Sequence, residues 1–408
     1  MEIPSRRPML LDGATATNLF SRGFQLSDCL EAWILEHPGD LTQLQKSYLE
    51  AGSDALYAPT FGANEASLRR FGLEAQVPEM NRRLVSLSKS ICEGRPVGGN
   101  MTMTGLQLLP FGETSFMELV GIYERQAAML KNAGVDFYAI ETMTSLRHAR
   151  AAVLACRDFG LPVFVTMVVD DEGRTAENNS LLSCLVTLQE LGISAFGLNC
   201  SAFPADMTEF FEELAPFAKI PLIAKPACCK VDKESGAYVL PPEEFASQFL
   251  PLFRAGVTIA GGCCGTTPEH IRQLRKVMDS FDFDRVSVEP HSRELVLTNE
   301  YDTFCFDLDM LEFTETIRPS ADMSDEFMKI EDDSADVISI QVDTPEDARE
   351  FALNAHMAAL PVCFYSESEI ALKAALLLYC GRAIVDSKSD IEPETLKKIA
   401  SKYGAVVY

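Results

Sequence analysis

Gly261-Gly262-Cys263-Cys264-Gly265-Thr266-Thr267-Pro268-Glu269-His270 is the stretch on which the fold turns. The apolar run Gly256-Val257-Thr258-Ile259-Ala260 before it reads as a buried strand. After it, Thr267 is placed to cap a helix that starts at Pro268, with Glu269 in its first turn. Two adjacent cysteines therefore sit at the carboxyl end of a strand, among glycines that permit close approach of the backbone. Neighbouring residues on a strand point to opposite sides, so both sulfurs face one ion only if the backbone turns there. Two thiolates from such a turn and a third from elsewhere would hold zinc and leave one position open, the arrangement of a catalytic site. A pair of buried, inert cysteines reads the same way at this point.

The rest of the chain narrows the choice. Its 408 residues suit two domains, or one large barrel with an appendage, and 47% hydrophobic content is ample for a core. The net charge of −25 argues against nucleic acid and anionic membranes as partners. Residues 281–408 carry −16 of that charge and residues 1–280 the remaining −9, so the acidic end reads first as a solvated surface and second as a docking face. Twelve cysteines are scattered along the chain. Met1 to Leu11 is too short and polar for a secretory signal, and no apolar run reaches membrane-spanning length. The expected compartment is a reducing cytoplasm, where clustered cysteines mean metal or catalysis more often than disulfides.

Short apolar strands begin near residues 9, 54, 96, 135, 162, 195, 221 and 257, and helical stretches alternate with them. Gly closes several of those helices. The pattern predicts a (β/α)8 TIM barrel over about 270 residues, followed by a smaller, incomplete α/β domain. In such a barrel the carboxyl ends of the strands converge on the active site. The residues at those ends are Asp12, Thr60, Asn100, Glu141, Asn199, Cys200, Cys228, Cys263 and Cys264. Cys200, from the sixth strand, is thus the third thiolate for Cys263 and Cys264 from the eighth.

Leu11-Asp12-Gly13, Thr60-Phe61-Gly62-Ala63-Asn64, Glu141-Thr142, Gly197-Leu198-Asn199-Cys200-Ser201 and the 261–270 stretch together resemble the homocysteine S-methyltransferase family. Within it, the chain looks most like the homocysteine-binding module that opens the cobalamin-dependent methionine synthases. The resemblance covers about residues 5–280. It implies that Cys200, Cys263 and Cys264 bind Zn2+, and that Asp12, Phe61, Glu141 and Asn199 line the homocysteine pocket, with carboxylates receiving the amino group. Zinc deprotonates a bound thiol, which otherwise is only a few per cent thiolate near pH 7, and the thiolate attacks a methyl donor. Little acid–base work remains, so none of the histidines (His37, His148, His270, His291, His356) is assigned a chemical role.

Three loops depart from the family pattern: Asn100-Met101-Thr102-Met103-Thr104-Gly105, Thr175-Ala176-Glu177-Asn178-Asn179 and Pro226-Ala227-Cys228-Cys229. The last replaces an Asn that can fill the fourth zinc position with Ala227, which cannot, and makes Cys228 a candidate fourth ligand. The expected organisation is a zinc-bearing barrel over 1–280, a linker over 281–300 and a degenerate, partial pterin-binding-like domain over 301–408. That domain has Asp307-Leu308-Asp309-Met310 where a pterin-gripping turn belongs, so no folate is expected. No cobalamin-binding Asp-x-His-x-x-Gly occurs, so cobalamin would sit only on a separate corrinoid protein, with homocysteine as the small-molecule partner. An unclosed parallel sheet leaves an edge that a second subunit could cover in a homodimer. The leading expectation is a zinc-dependent homocysteine methyltransferase. The alternatives are a non-catalytic zinc-binding or docking relative and, third, a redox role for Cys228-Cys229.

Overall fold

The computed structural model describes residues 8–232, 236–292, 295–308, 311–330 and 334–408. Asp309 and Met310 of the expected pterin-side turn lie outside the described residues. The chain divides into two compact units. The first takes Met1–Leu106, Met117–Ala176 and Ile193–Pro290; the second takes Gln107–Phe116, Glu177–Gly192 and His291–Tyr408.

Unit one is built on the strands β1 (Met9–Leu10), β2 (Leu56–Ala58), β3 (Val97–Met101), β4 (Phe137–Met143), β5 (Val163–Met167), β6 (Ala195–Asn199), β7 (Leu222–Lys225) and β10 (Val257–Ala260). All eight pair in parallel, in the order β1-β10-β7-β6-β5-β4-β3-β2. Between β1 and β2 the ring is bridged by single contacts rather than a ladder. Leu10 N–H donates to the Asp54 carboxylate at 2.7 Å, and Asp54 N–H donates to Leu10 O at 2.6 Å. These are the (β/α)8 strands that the spacing predicts, shortened by one or two residues at several ends. Leu11, Tyr57, Phe137, Ala139, Phe164, Ala195, Ile223 and Ile259 fill the interior as a buried apolar cluster. Burial on both faces explains why these strands are continuous apolar runs rather than alternating ones.

Gly197 in β6 has no room for a side chain, since a Cβ there would lie 1.8 Å from the Ile223 carbonyl oxygen of β7. That close approach sets the two strands that carry Cys200 and Lys225. Between β7 and its following helix the chain inserts an antiparallel hairpin, β8 (Cys229–Asp232) with β9 (Gly236–Val239). The sequence reading has no element there.

Unit two holds a hairpin of β11 (Leu295–Thr298) and β12 (Thr303–Phe306), and a parallel sheet of β13 (Ile338–Gln341), β14 (Val362–Tyr365), β15 (Ile384–Val385) and β16 (Val406–Val407). Residues 295–298, read from sequence as linker, form β11. The segment around Phe313 and Ile317 runs beside β13, with Thr314 N–H on Val337 O and Ile317 N–H on Ser339 O, so the chain itself covers that edge. The helix Pro345–Asn354 opens with a capping box between Thr344 and Asp347. Its Phe351 packs with Phe364 and Tyr379 in the core of the unit. The helix Leu181–Gln189, which follows β5 in the chain, belongs to this unit. Ser183 donates to Asn299 O at 2.8 Å, and the Thr187 and Thr298 hydroxyls meet at 2.8 Å.

Candidate active site

At the carboxyl ends of the barrel strands lies a cavity of ≈ 240 Å³, lined by Asp12, Tyr57, Phe61, Asn100, Glu141, Thr142, Cys200, Lys225, Cys263 and Cys264 among others. Two backbone distortions shape it. Cys200 follows β6 with φ 61°, and Thr142 sits in β4 at φ 61°, both left-handed conformations that non-glycine residues rarely adopt. Such strain persists only where the surroundings enforce it. At Thr142 the β4–β5 register shifts between Ile140 and Met143. The bulge re-aims the strand end that bears Glu141.

The turn after β10 has the form the sequence suggests. A Cβ on Gly262 would lie 2.3 Å from the Thr266 hydroxyl oxygen, so only glycine fits this bend. Gly262 N–H donates to Asp12 O at 3.1 Å, and Thr266 Oγ1 donates to Cys263 O at 2.7 Å. The Sγ atoms of Cys200, Cys263 and Cys264 lie within 4.8 Å of one another, with Cys200 and Cys264 at 3.1 Å. Tetrahedral coordination at about 2.3 Å from metal to sulfur needs sulfurs roughly 3.8 Å apart, so this set fits a thiophilic divalent ion with small side-chain adjustments. Hydrogen bonding to Cys263 and then to Cys264 drives the Cys200 thiol up, while bonds from Cys200 and then Cys263 pull Cys264 down to about 3.

Cys228 is not one of the set. It is buried, its N–H donates to Cys264 O at 3.0 Å, and burial, then Cys229, pushes its thiol up to about 12. Both Cys228 and Cys229 stand close to Gly265, where an added Cβ would meet each Sγ at 2.9 Å. His270 holds this corner together. Thr267 N–H donates to its Nδ1 at 3.2 Å, which leaves Nε2 to donate to Leu240 O at 2.9 Å. Leu240 N–H in turn donates to Cys228 O at 2.7 Å. Burial lowers the imidazole's pKa, in keeping with a neutral, structural ring.

The polar end of the cavity is a charge cluster. Asp12 accepts from Tyr57 N–H at 2.8 Å, and burial pushes its carboxyl up to about 7 against the opposing pull of Lys225. Glu141 takes Lys225 Nζ on Oε2 at 2.9 Å and Asn100 Nδ2 on Oε1 at 2.7 Å. Lys225 lies 3.8 Å above the Tyr57 ring centroid, a cation–π contact. Burial alone would lower the amine's pKa, but Glu141 and Asp12 outweigh it and the net shift is upward, so Lys225 is a cation. Sequence reasoning missed Lys225, although a lysine closing the apolar run Leu222-Ile223-Ala224 at the functional end of a barrel is a signal in itself.

Asp12, Phe61 and Glu141 all line the cavity. Asn199 is fully buried, and its amide clamps Thr142 through Oδ1 and Nδ2 and reaches Cys263 Sγ at 3.7 Å. Among the described residues no helix is long and apolar enough to cross a membrane.

Residues 9–278 match the family model described as homocysteine S-methyltransferase. The methionine synthase of Mycobacterium tuberculosis (strain ATCC 25618 / H37Rv) is 30% identical over 298 residues, which cover 67% of this chain and 25% of that protein. The methionine synthase of Mycobacterium leprae (strain TN) is also 30% identical over 298 residues, covering 67% of this chain and 24% of its own. The chain therefore spans about a quarter of the length of these relatives. Among solved structures, the metallated form of the homocysteine methyltransferase MmuM from Escherichia coli superposes with TM-score 0.56 at 24% identity, over 66% of this chain and 96% of that one. Its oxidized form gives TM-score 0.56 at 23% identity, and both confirm the barrel fold. The chain belongs to the homocysteine S-methyltransferase family.

Proposed function

We propose that the chain is a zinc-dependent methyltransferase that converts homocysteine to methionine, with the methyl group supplied by a methylcorrinoid protein in trans or by a small methylated compound. The observation that carries this reading is the convergence of Cys200, Cys263 and Cys264 on one cavity whose other end holds Asp12, Glu141 and Lys225. Zinc on three thiolates would deprotonate an incoming thiol and leave it nucleophilic. The chain's own part is mainly positioning. Asn199 fixes Thr142 and, through it, the direction of Glu141. Phe61 and Leu30 add apolar wall to the cavity, which would limit water around a bound substrate. In the transfer, the acceptor sulfur's lone pair forms the new S–CH3 bond while the bond from methyl to the donor breaks, its electron pair leaving with the donor. A cytoplasmic setting suits both the free cysteines and the thiol substrate.

The test is direct. Zinc-loaded protein and homocysteine are incubated in turn with methylcobalamin, methyltetrahydrofolate, S-methylmethionine and betaine, and methionine is measured. Methionine from at least one donor, abolished in Cys263→Ala, supports the reading. No methionine from any of them, with zinc bound and homocysteine on the metal, would favour a non-catalytic relative.

A further inference from the structure

One buried carboxyl group near the cavity has no part in the chemistry above. Glu31, in the first turn of the helix Leu30–Glu36, is only 6% exposed. Its Oε1 accepts the Gly62 N–H at 2.6 Å, and its Oε2 accepts the Cys29 thiol at 3.5 Å. Burial pushes its pKa up. A carboxyl group is costly to bury, and hydrogen bonds to it offset part of that cost.

Glu31 and Gly62 are not in the cavity wall, but the residues that precede them are. Leu30 and Phe61 both line the cavity. The fit between the two loops is close, since a Cβ on Gly62 would stand 3.0 Å from Glu31 Oε1. Leu30 also packs against the apolar cluster that holds Ala63. These loops follow β1 and β2, the two strands of the ring that share no ladder, because β1 pairs with β10 and β2 with β3. The ladder that spaces other neighbouring strand ends is missing here. The bond from Gly62 to Glu31 therefore ties this seam at the end where the cavity lies.

Resting on the thiol-acceptor reading above, we infer that Glu31 is a positioning residue: across the seam it fixes the spacing of Leu30 and Phe61, and with it the chain length of the thiol that the cavity accepts. Without the tie the wall loosens, and a longer thiol fits as well as homocysteine.

Calorimetric titration of zinc-loaded protein with homocysteine and with 2-amino-5-mercaptopentanoate, one methylene longer, tests this. The unmodified protein should prefer homocysteine by about tenfold or more, the discrimination one methylene gives in a fitted apolar pocket. Glu31→Gln, whose amide oxygen still accepts from Gly62, should keep that ratio. Glu31→Ala has no acceptor and should bring the ratio to within about threefold. Glu31→Asp keeps the carboxylate but falls one methylene short of Gly62, so it should lose the ratio too, and it decides the matter if Glu31→Ala does not fold. A purely structural role would lower the melting temperature and leave the ratio unmoved. A ratio unchanged in Glu31→Ala and Glu31→Asp, or lost equally in Glu31→Gln, would overturn the inference. Because the readout is thiol binding, failure of every methyl donor sinks the transfer reading and leaves this ratio standing.

Discussion

The side-chain amide of Asn199 accepts the Thr142 backbone N–H at 2.9 Å and donates to the Thr142 hydroxyl at 2.8 Å. This pairing joins the two halves of the site. Asn199 immediately precedes Cys200, and Thr142 immediately follows Glu141. The same clamp therefore sets the left-handed turn in β4 and anchors the strand end that delivers the first sulfur. The residue next to one of the three clustered cysteines is bonded to the residue next to Glu141.

Asn199→Ala should remove both bonds and leave the half-buried Thr142 N–H and hydroxyl without those partners. We expect about 2–3 kcal/mol of lost stability in urea denaturation. The β4 bulge should relax, lowering methyl transfer about tenfold or more while zinc stays bound, since no sulfur is removed. Unchanged turnover and stability would show that the bulge holds without its clamp.

Asp12 gives the site a pH signature. Its folded-state pKa, raised to about 7 chiefly by burial, exceeds its ordinary value of 3.8. A group raised in this way favours the folded state fully below its unfolded pKa and loses that contribution as pH rises through the folded value. The unmodified protein should therefore lose on the order of 2 kcal/mol of stability between pH 5 and pH 8 from this residue. Asp12→Asn, whose amide oxygen can still accept from Tyr57 N–H, should flatten that part of the curve. Identical pH profiles for the two proteins would remove Asp12 as the cause.

Cys228 was expected as a candidate fourth ligand because Ala227 stands where a metal-binding amide is usual. The thiol stands outside the three-sulfur set and is held protonated by burial. Cys228→Ser should keep close to one zinc per chain, whereas Cys263→Ala should lose most of it. Loss of zinc in Cys228→Ser, measured by metal analysis of folded protein, would return Cys228 to the ligand set.

The barrel was legible because its buried parallel strands are largely apolar and meet a polar residue at or near their carboxyl ends, at Asp12, Asn100, Glu141 and Asn199. The cluster of Cys200, Cys263 and Cys264 was legible because each falls at or just past the carboxyl end of a strand. Other features left no such mark. The conformation of Thr142 runs against its residue type, since β-branched side chains avoid positive φ. The β8–β9 hairpin begins at Cys229-Lys230-Val231-Asp232, four residues too short and mixed to declare a strand period. The helix Leu181–Gln189 is apolar on nearly every side, and only long-range contacts decide that its partner is the 291–408 region. Lys225 reads from sequence only as the last residue of a strand, since nothing local marks the carboxylates it meets.

On the proposed mechanism, Cys200, Cys263 and Cys264 hold zinc with one position open to the acceptor sulfur. X-ray absorption at the zinc edge, with and without homocysteine, tests it most directly. Three sulfurs and one lighter atom per zinc are expected in the free protein, rising to four sulfurs when homocysteine is added. Four sulfurs before addition, or a count that does not change with homocysteine, would contradict it.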